Sequence, residues 1–404
     1  MRRIHIRYGA VVLSLFILGS IPAYSQKMET VDGVKLIHNE KQGRWGTNPK
    51  LSLEFVRNIG EVDSMDENVL FHMPADITCD EQGNIYVLDA GNQRIQKFNP
   101  QGEYLATIGR RGEGPGELQF PLSLDRDDRG YLYVPDSSNQ RIQIYTPEGA
   151  PHKGISLHQS SAGIIRVLSD GSLLQGPGGL IMMGPGGRAQ GETPPPLLKV
   201  RGPEGEVIKE FGESKDFKDF MLNRMGNQYQ FTVAEDGSVY VAFTYQNRID
   251  KYSPQGKLMW SADRELNYDV KTPRSKGKMT RSGGNVRIQA PQMNQASSGI
   301  AVDGEGRIWV VNLVRQIKEE EQVRMGISMT QGAGGSNTSI SVQGNTDLTT
   351  TDMYRLEVYD GEGVLLTAVP ITHFADAIRI YDDKIFILDR MRGAQFYQYR
   401  ILAK

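Results

Sequence analysis

Short apolar runs that alternate with polar turns dominate the chain, and two of them are near copies. "NIYVLD", an Asp-x-x-Asn turn and "RIQKF" recur 47 residues later as "YLYVPD", the same turn and "RIQIY". The match extends outward: Pro74 falls on Pro121, Gly83 on Gly130, Tyr86 on Tyr133, Arg94 on Arg141 and Gly102 on Gly149. Self-similarity at a fixed period predicts a repeat architecture. Each unit reads as four strands: "ADITC" or "LSLD", a glycine turn, "NIYVLD" or "YLYVPD", "RIQKF" or "RIQIY", a Pro…Gly hairpin turn, then "EYLATIG". The second strand is apolar at successive positions, as expected where both faces of a sheet are covered.

Fainter copies follow. "DGSVYVAFTYQNRIDKYSPQGKLMW" is a clear one from Asp236, and divided copies start near Asp170 and Asp303. The last, from Asp382, lacks a fourth strand, whereas "LSLEFVRNIG" (51–60) resembles one without a blade of its own. The expected fold is therefore all-β. Six four-stranded antiparallel blades begin near Pro74, Pro121, Gly163, Tyr229, Ser298 and Ala375, and the N-terminal strand joins the last blade to close a β-propeller.

The run "GNIYVLDAGNQRIQKFNPQGEYLATIG" followed by "GEGPGELQFP" resembles the NHL repeat family of six-bladed propellers, strongly over Pro74–Gly149 and fairly over Phe231–Trp260. That resemblance implies the fold. The family spans protein-binding modules, extracellular sensor domains, and lyases and lactonase-like enzymes with a metal in the central channel, so it leaves function open. The arginines repeating at 94, 141, 248 and 355 read as fold residues that bridge carbonyls and the preceding Asp or Asn, since a feature that repeats with the fold serves the fold.

Departures from the period point to function. Insertions occupy 175–196, 263–296 and 312–353, with a shorter one at 212–227, and blade topology sends all four to one face of the disc. In the first, Leu180, Ile181, Met182 and Met183 need a surface to cover, which makes Leu180, Met182 and Met183 candidate binding residues. In the third, "GAGGSNTSISVQGNTDLTTTD" balances between an ordering loop and disordered decoration. The second carries Lys271, Arg274, Lys276, Lys278, Arg281 and Arg287, read first as a solvated run.

Strand one of each blade lines the axis. Alignment on the turn glycine, with Asp383 matched to Gly83, puts Asp76, Ser123, Ile164, Gln230, Gly299 and Asp376 at one position. Asp76 and Asp376 could share a calcium ion with Ser123 and Gln230 as further oxygen donors. His72 and His373, just ahead of those strands, could hold zinc as in the amidating lyases of the resembled family. His38, His152 and His158 do not fall at equivalent positions, so a third histidine is missing.

Composition narrows the rest. Arg2, Arg3 and Arg7 precede an apolar run from Gly9 to Ile21, and Ala23-Tyr24-Ser25 follows, the pattern of a cleaved secretory signal over residues 1–25. Residues 26–50 are then an N-terminal extension and 51–404 the propeller. Cleavage moves the formal charge from −2 to −5, which argues against nucleic acid as a partner. Cys79 is the single cysteine, so no intramolecular disulfide forms, and without Cys-x-x-Cys-His there is no c-type haem. No organic cofactor motif is present. The sequence thus points to a secreted or periplasmic monomer that binds or senses a protein, peptide or glycan through its insertion-bearing face. Its rival is a metal-dependent lyase or hydrolase at the channel mouth, with calcium or zinc in the central channel.

Overall fold

A computed structural model describes residues 27–157, 163–178, 194–271, 273–282, 285–289, 291–332 and 335–404. The repeats form six antiparallel sheets. Blade one pairs Asp76–Cys79, Ile85–Asp89, Arg94–Phe98 and Tyr104–Ile108 in order, and blades two and three repeat this from Asp125 and Gly163. Blade four starts at Tyr229, blade five at Ser297 and blade six at Ala377. The innermost strands lie against one another around the axis, and the last touches the first.

Why the second strand of each blade is so apolar is visible in the packing. Six hydrophobic clusters occupy the six gaps between neighbouring blades. Ile77, Ile85, Val87 and Phe98 of blade one meet Phe386, Leu388 and Phe396 of blade six, while Tyr86, Leu88 and Ile95 meet Leu124, Leu132 and Val134 of blade two. A strand buried on both faces has no polar side to show. The turns between strands one and two need positive φ, and glycine supplies it at Gly83 (+81°), Gly130 (+88°) and Gly237 (+76°).

Leu51–Ile59 is the fourth strand of blade six, antiparallel to Gln395–Ala403, as its sequence predicted. The extension before it was not expected to form sheet. Lys27–Val31 and Val34–Asn39 make a hairpin whose second strand runs parallel to Leu258–Arg264, so blade four has six strands. The chain then crosses the rim of blade five: Arg44 and Trp45 donate their N–H groups to the Leu365 and Leu366 carbonyls. At Gly43 the approach is so close that a Cβ would lie 2.4 Å from the Leu366 carbonyl group.

The repeating arginines are fold residues. Arg94 donates to Asp89, which is fully buried, and to the Glu67 and Leu70 carbonyls; Arg141 lies 3.4 Å from Asp136 and donates to the carbonyls of Glu113, Gly114 and Glu117. In blades four and five the acid has moved to the third strand, where Arg248 pairs with Asp250 and Arg355 with Glu357.

In every blade strand one starts, strand two ends, strand three starts and strand four ends at the same rim of the disc. The departures at 212–227, 263–296 and 312–353 therefore leave from that face. Each is structured. The first holds a short helix, Phe220–Gly226, capped by Asp219, whose side chain accepts the Leu222 N–H. The second forms the hairpin Lys278–Ser282 with Asn285–Gln289. The low-complexity run, 332–352, supplies the second strand of a ribbon with ten residues in each strand, Val323–Gly332 paired with Gly335–Gly344. Its glycine and serine content hid strands whose apolar residues sit at alternate positions. Residues 1–26 and 179–193, which hold the leader pattern and Leu180, Met182 and Met183, lie outside the described residues.

Candidate functional site

The axis assembles as the repeat implies, with one exchange. Asp76, Ser123, Ile164, Gln230 and Gly299 line one cavity at the centre of the ring, but the sixth place belongs to Ala377 and not Asp376. The register gives the reason. Asp76 pairs with Leu88 and Ala377 with Leu388, so Asp376 corresponds to Ala75. The blade-six turn is tighter, with Tyr381 paired directly to Lys384, where blade one spans Asp80–Asn84 between Cys79 and Ile85. Matching the two turns slips the strand by one residue.

The cavity measures about 30 Å³, room for one or two water molecules. Both Asp76 oxygens face donors. Arg379 of blade six holds them bidentately, Nε to Oδ1 and Nη2 to Oδ2 at 2.8 Å each; the backbone N–H groups of Ile77 and of Leu124 in blade two add to this, and Arg166 of blade three lies 3.5 Å away. Ser123 accepts the Ile165 N–H and Asp125 the Val167 N–H. These acids stitch blade to blade. A divalent cation beside Asp76 would sit against the Arg379 and Arg166 guanidinium groups, so the residues present do not fit the calcium site that the sequence allowed. Among the described residues no three His, Cys, Asp or Glu side chains gather as a metal site.

Arg166, Arg379 and Asp125 escaped the sequence reading, although a signal for them exists. They lie two residues beyond the ring position of their blades, and residues two apart on a strand share a face. Burial of Asp125 raises its pKa to about 7, opposed by the Val167 N–H and Arg379.

The two histidines occupy equivalent places in different surroundings. His72 is exposed, and its backbone N–H is held by Asp89. His373 is buried: it stacks on Tyr397 with ring centroids 3.7 Å apart, and its nitrogens lie 2.9 Å from the Phe374 carbonyl and the Tyr399 hydroxyl. Burial lowers its pKa, so the ring is neutral near pH 7. The Cys79 thiol is pushed up to about 12 by burial.

A second polar centre lies under the insertion-bearing face. Glu321, at the root of the ribbon, takes both Arg315 Nη groups, at 2.6 and 2.7 Å, and the Thr351 hydroxyl at 2.9 Å. The Arg315 hydrogen bonds lower its pKa to about 2. Arg315 also reaches Asp352 across the mouth of the insertion. Arg392 of blade six donates to the Glu321 carbonyl and lies 3.4 Å over the Phe374 ring. The ribbon thus stands on a clamp. Beside the clamp is an open cleft of about 650 Å³, lined among others by Val314, Thr350, Asp352, Arg355, Pro370 and Thr372.

The loop that carries Arg392 is pinned by two acids. Asp376 accepts the Arg390 N–H and Asp389 the Arg392 N–H, while Asp389 Oδ2 is buried with no hydrogen-bond partner among the described residues. Burial first, then the Asp376 charge, raises the Asp389 pKa to about 6, against the N–H groups of Arg392 and Gly393 and the Arg392 charge. A carboxyl group raised in the fold favours the protonated protein. Its stability contribution is present below the unfolded value near 4 and is lost as pH rises through about 6, on the order of 2–3 kcal/mol. Urea unfolding of the wild type and Asp389→Asn at pH 4.5 and 7.5 measures it: the variant should gain on the wild type by about 2 kcal/mol between these pH values. Parallel behaviour of the two proteins would remove the assignment.

A family described as a 6-bladed beta-propeller matches residues 65–171. Among solved structures, a member of the duf4221 family from Bacteroides vulgatus aligns with 88% of this chain and 99% of its own at 10% identity and a TM-score of 0.53. An exported protein of Bacteroides fragilis aligns with 91% and 99% at 11% identity and a TM-score of 0.52. Virginiamycin B lyase from Staphylococcus aureus aligns with 87% and 100% at 11% identity and a TM-score of 0.45. No curated protein matches the chain. At such identities the likeness of the first two is one of fold, and the family match agrees with the sheets and clusters above: the chain is a six-bladed β-propeller.

Proposed function

We propose that the protein is an extracytoplasmic propeller of the NHL type, acting as a monomer that binds or senses a protein, peptide or glycan through its insertion-bearing face. One observation carries this reading: the additions to the repeat leave from one face and are built structures rooted in the ring. The ribbon stands on Glu321, Arg315 and Arg392. The linker before it is tied by Tyr268 to the Leu313 carbonyl and by reciprocal bonds between Gln295 and Gln316. Asn227 bonds to Lys215 and Asn223 to fasten the helix. Order at that cost in chain entropy is expected of a surface that recognises something. Against the rival, a metal-dependent lyase or hydrolase at the channel mouth, stands the pairing of Asp76 with Arg379.

Hydrogen exchange tests the face. The protein is screened against peptide and glycan arrays, and exchange is compared with and without the best binder. Protection over 212–227, 263–296 or 312–353 is the expected result, whereas protection confined to the opposite turns, 80–84 and 127–131, would overturn the reading. The address outside the cytoplasm rests on the leader pattern. N-terminal sequencing of the exported protein should begin near Gln26, and an intact N-terminus in the cytoplasmic fraction would contradict it.

A further inference from the structure

The two hairpins on the insertion-bearing face differ in a way that singles one out. Lys278–Ser282 and Asn285–Gln289 are five residues each and carry Lys278, Arg281 and Arg287. Short length and positive charge are the usual means of keeping a sheet edge from taking another strand. The ribbon of Val323–Gly332 and Gly335–Gly344 has neither protection. Its strands are ten residues long, its pairing runs without a bulge, and residues 323–344 contain no proline, no lysine and Arg324 as their single charge. Among the described residues no third strand joins it. Along the register, Met325–Val342 and Ile327–Ile340 alternate with Gly326–Ser341 and Ser328–Ser339, the period of two that an added strand would match.

Resting on the reading above, we propose that the 323–344 ribbon is a strand-addition site, which takes an extended polypeptide segment of low charge, apolar at alternate positions, by main-chain pairing along one edge. The site continues past the ribbon. The chain enters the insertion at Val314 and leaves it at Thr350, and both residues line the 650 Å³ cleft, where side chains at one end of an added segment find room. A flexible segment can use edge and cleft together. Two folded copies meeting along the ribbon would share one strand pair of at most ten residues, a small contact against the roughly 800 Å² per partner of a stable complex.

The test uses the chain from residue 26 to 404 and a dye-labelled synthetic peptide with the sequence of residues 335–344, a strand already complementary to 323–332. Anisotropy should show saturable binding below about 1 mM, weakened about tenfold or more when alternate peptide nitrogens are methylated, since each main-chain bond is worth about a factor of ten or less. A variant with 323–344 replaced by Gly-Gly-Ser-Gly-Gly should lose binding while keeping the wild-type melting curve. No saturable binding, an indifferent methylated peptide, or full binding by the replaced variant would each overturn the proposal. Dimers in light scattering that vanish with the replacement would assign the edge to a second copy instead, and overturn it likewise. Ligand protection on 220–226 or 278–289 with none on 323–344 removes this inference but leaves the binding face standing; protection on the opposite turns removes both.

Discussion

Asp76→Ala is expected to lower the free energy of unfolding by about 3–5 kcal/mol, the effect of breaking a buried ion pair from one side. The carboxylate is 5% exposed and balances Arg379 directly and Arg166 at 3.5 Å. Alanine leaves two guanidinium groups in a cavity with room for one or two waters, and it cuts the bond to the Leu124 N–H that joins blade one to blade two. Urea unfolding gives the size of the loss. A double-mutant cycle with Arg379→Ala gives its origin, and a coupling above about 1 kcal/mol is expected for partners in such contact. An Asp76→Ala protein with an unchanged midpoint would show that the ion pair does not stabilise the ring, and a loss reproduced in the wild type by a chelator would show that the acid serves a bound cation and not the arginines.

Removing the strand that closes the ring should do more. A chain starting at Glu61 lacks Leu51–Ile59, whose Leu51 and Ile59 are 2% and 3% exposed and worth roughly 1.5–3 kcal/mol each. It also leaves eight residues of the last strand, Phe396–Ala403, without their outer partner. Against a total stability of about 5–15 kcal/mol, that loss is enough to unfold the domain. Near-UV circular dichroism should be lost and a peptide of residues 50–60 added in trans should restore part of it. The position of the ends offers a complementary check, because the Lys404 N–H bonds to the Lys50 carbonyl at 2.9 Å. A permuted chain that joins these residues and opens a turn such as 80–84 should fold. Native spectra from the chain starting at Glu61 would mean that the seam is dispensable.

The ring was legible because repetition shows in sequence: the turn glycines, the Arg positions and the apolar second strand mark each blade, and a strand missing at one end with a spare at the other marks the seam. The axis was half legible. Ring positions follow from counting back from a turn, and the count fails where a turn changes length, as at Asp382–Asp383, which promoted Asp376 over Ala377. Arg166 and Arg379 were hidden differently. Their equivalents are Thr78, Thr232 and Ala301, so their residue type does not repeat from blade to blade even though their position does, and their meaning lies in contacts with Asp76, which is 90 residues from Arg166 and 303 from Arg379. The ribbon was masked by composition, since glycine and serine outnumbered the alternating Ile327, Met329, Ile340 and Val342. Glu321, Arg315 and Arg392 carry no motif at all.

The seam has a mechanical side. Leu51 lies opposite Ala403 and Ile59 opposite Phe396, so both strand ends that lead out of blade six leave at the same end of the pair. Tension between residues 50 and 404 would open those bonds one after another, like a zip, instead of loading them all together. The N-terminal hairpin diverts that load. A pull on Lys27 must first strip Lys35–Asn39 from Trp260–Arg264 and free Arg44 and Trp45 from Leu365 and Leu366 before the seam feels any force. A chain held by its front end would hang from the outer rim of blades four and five, and the joint that closes the ring would carry no weight.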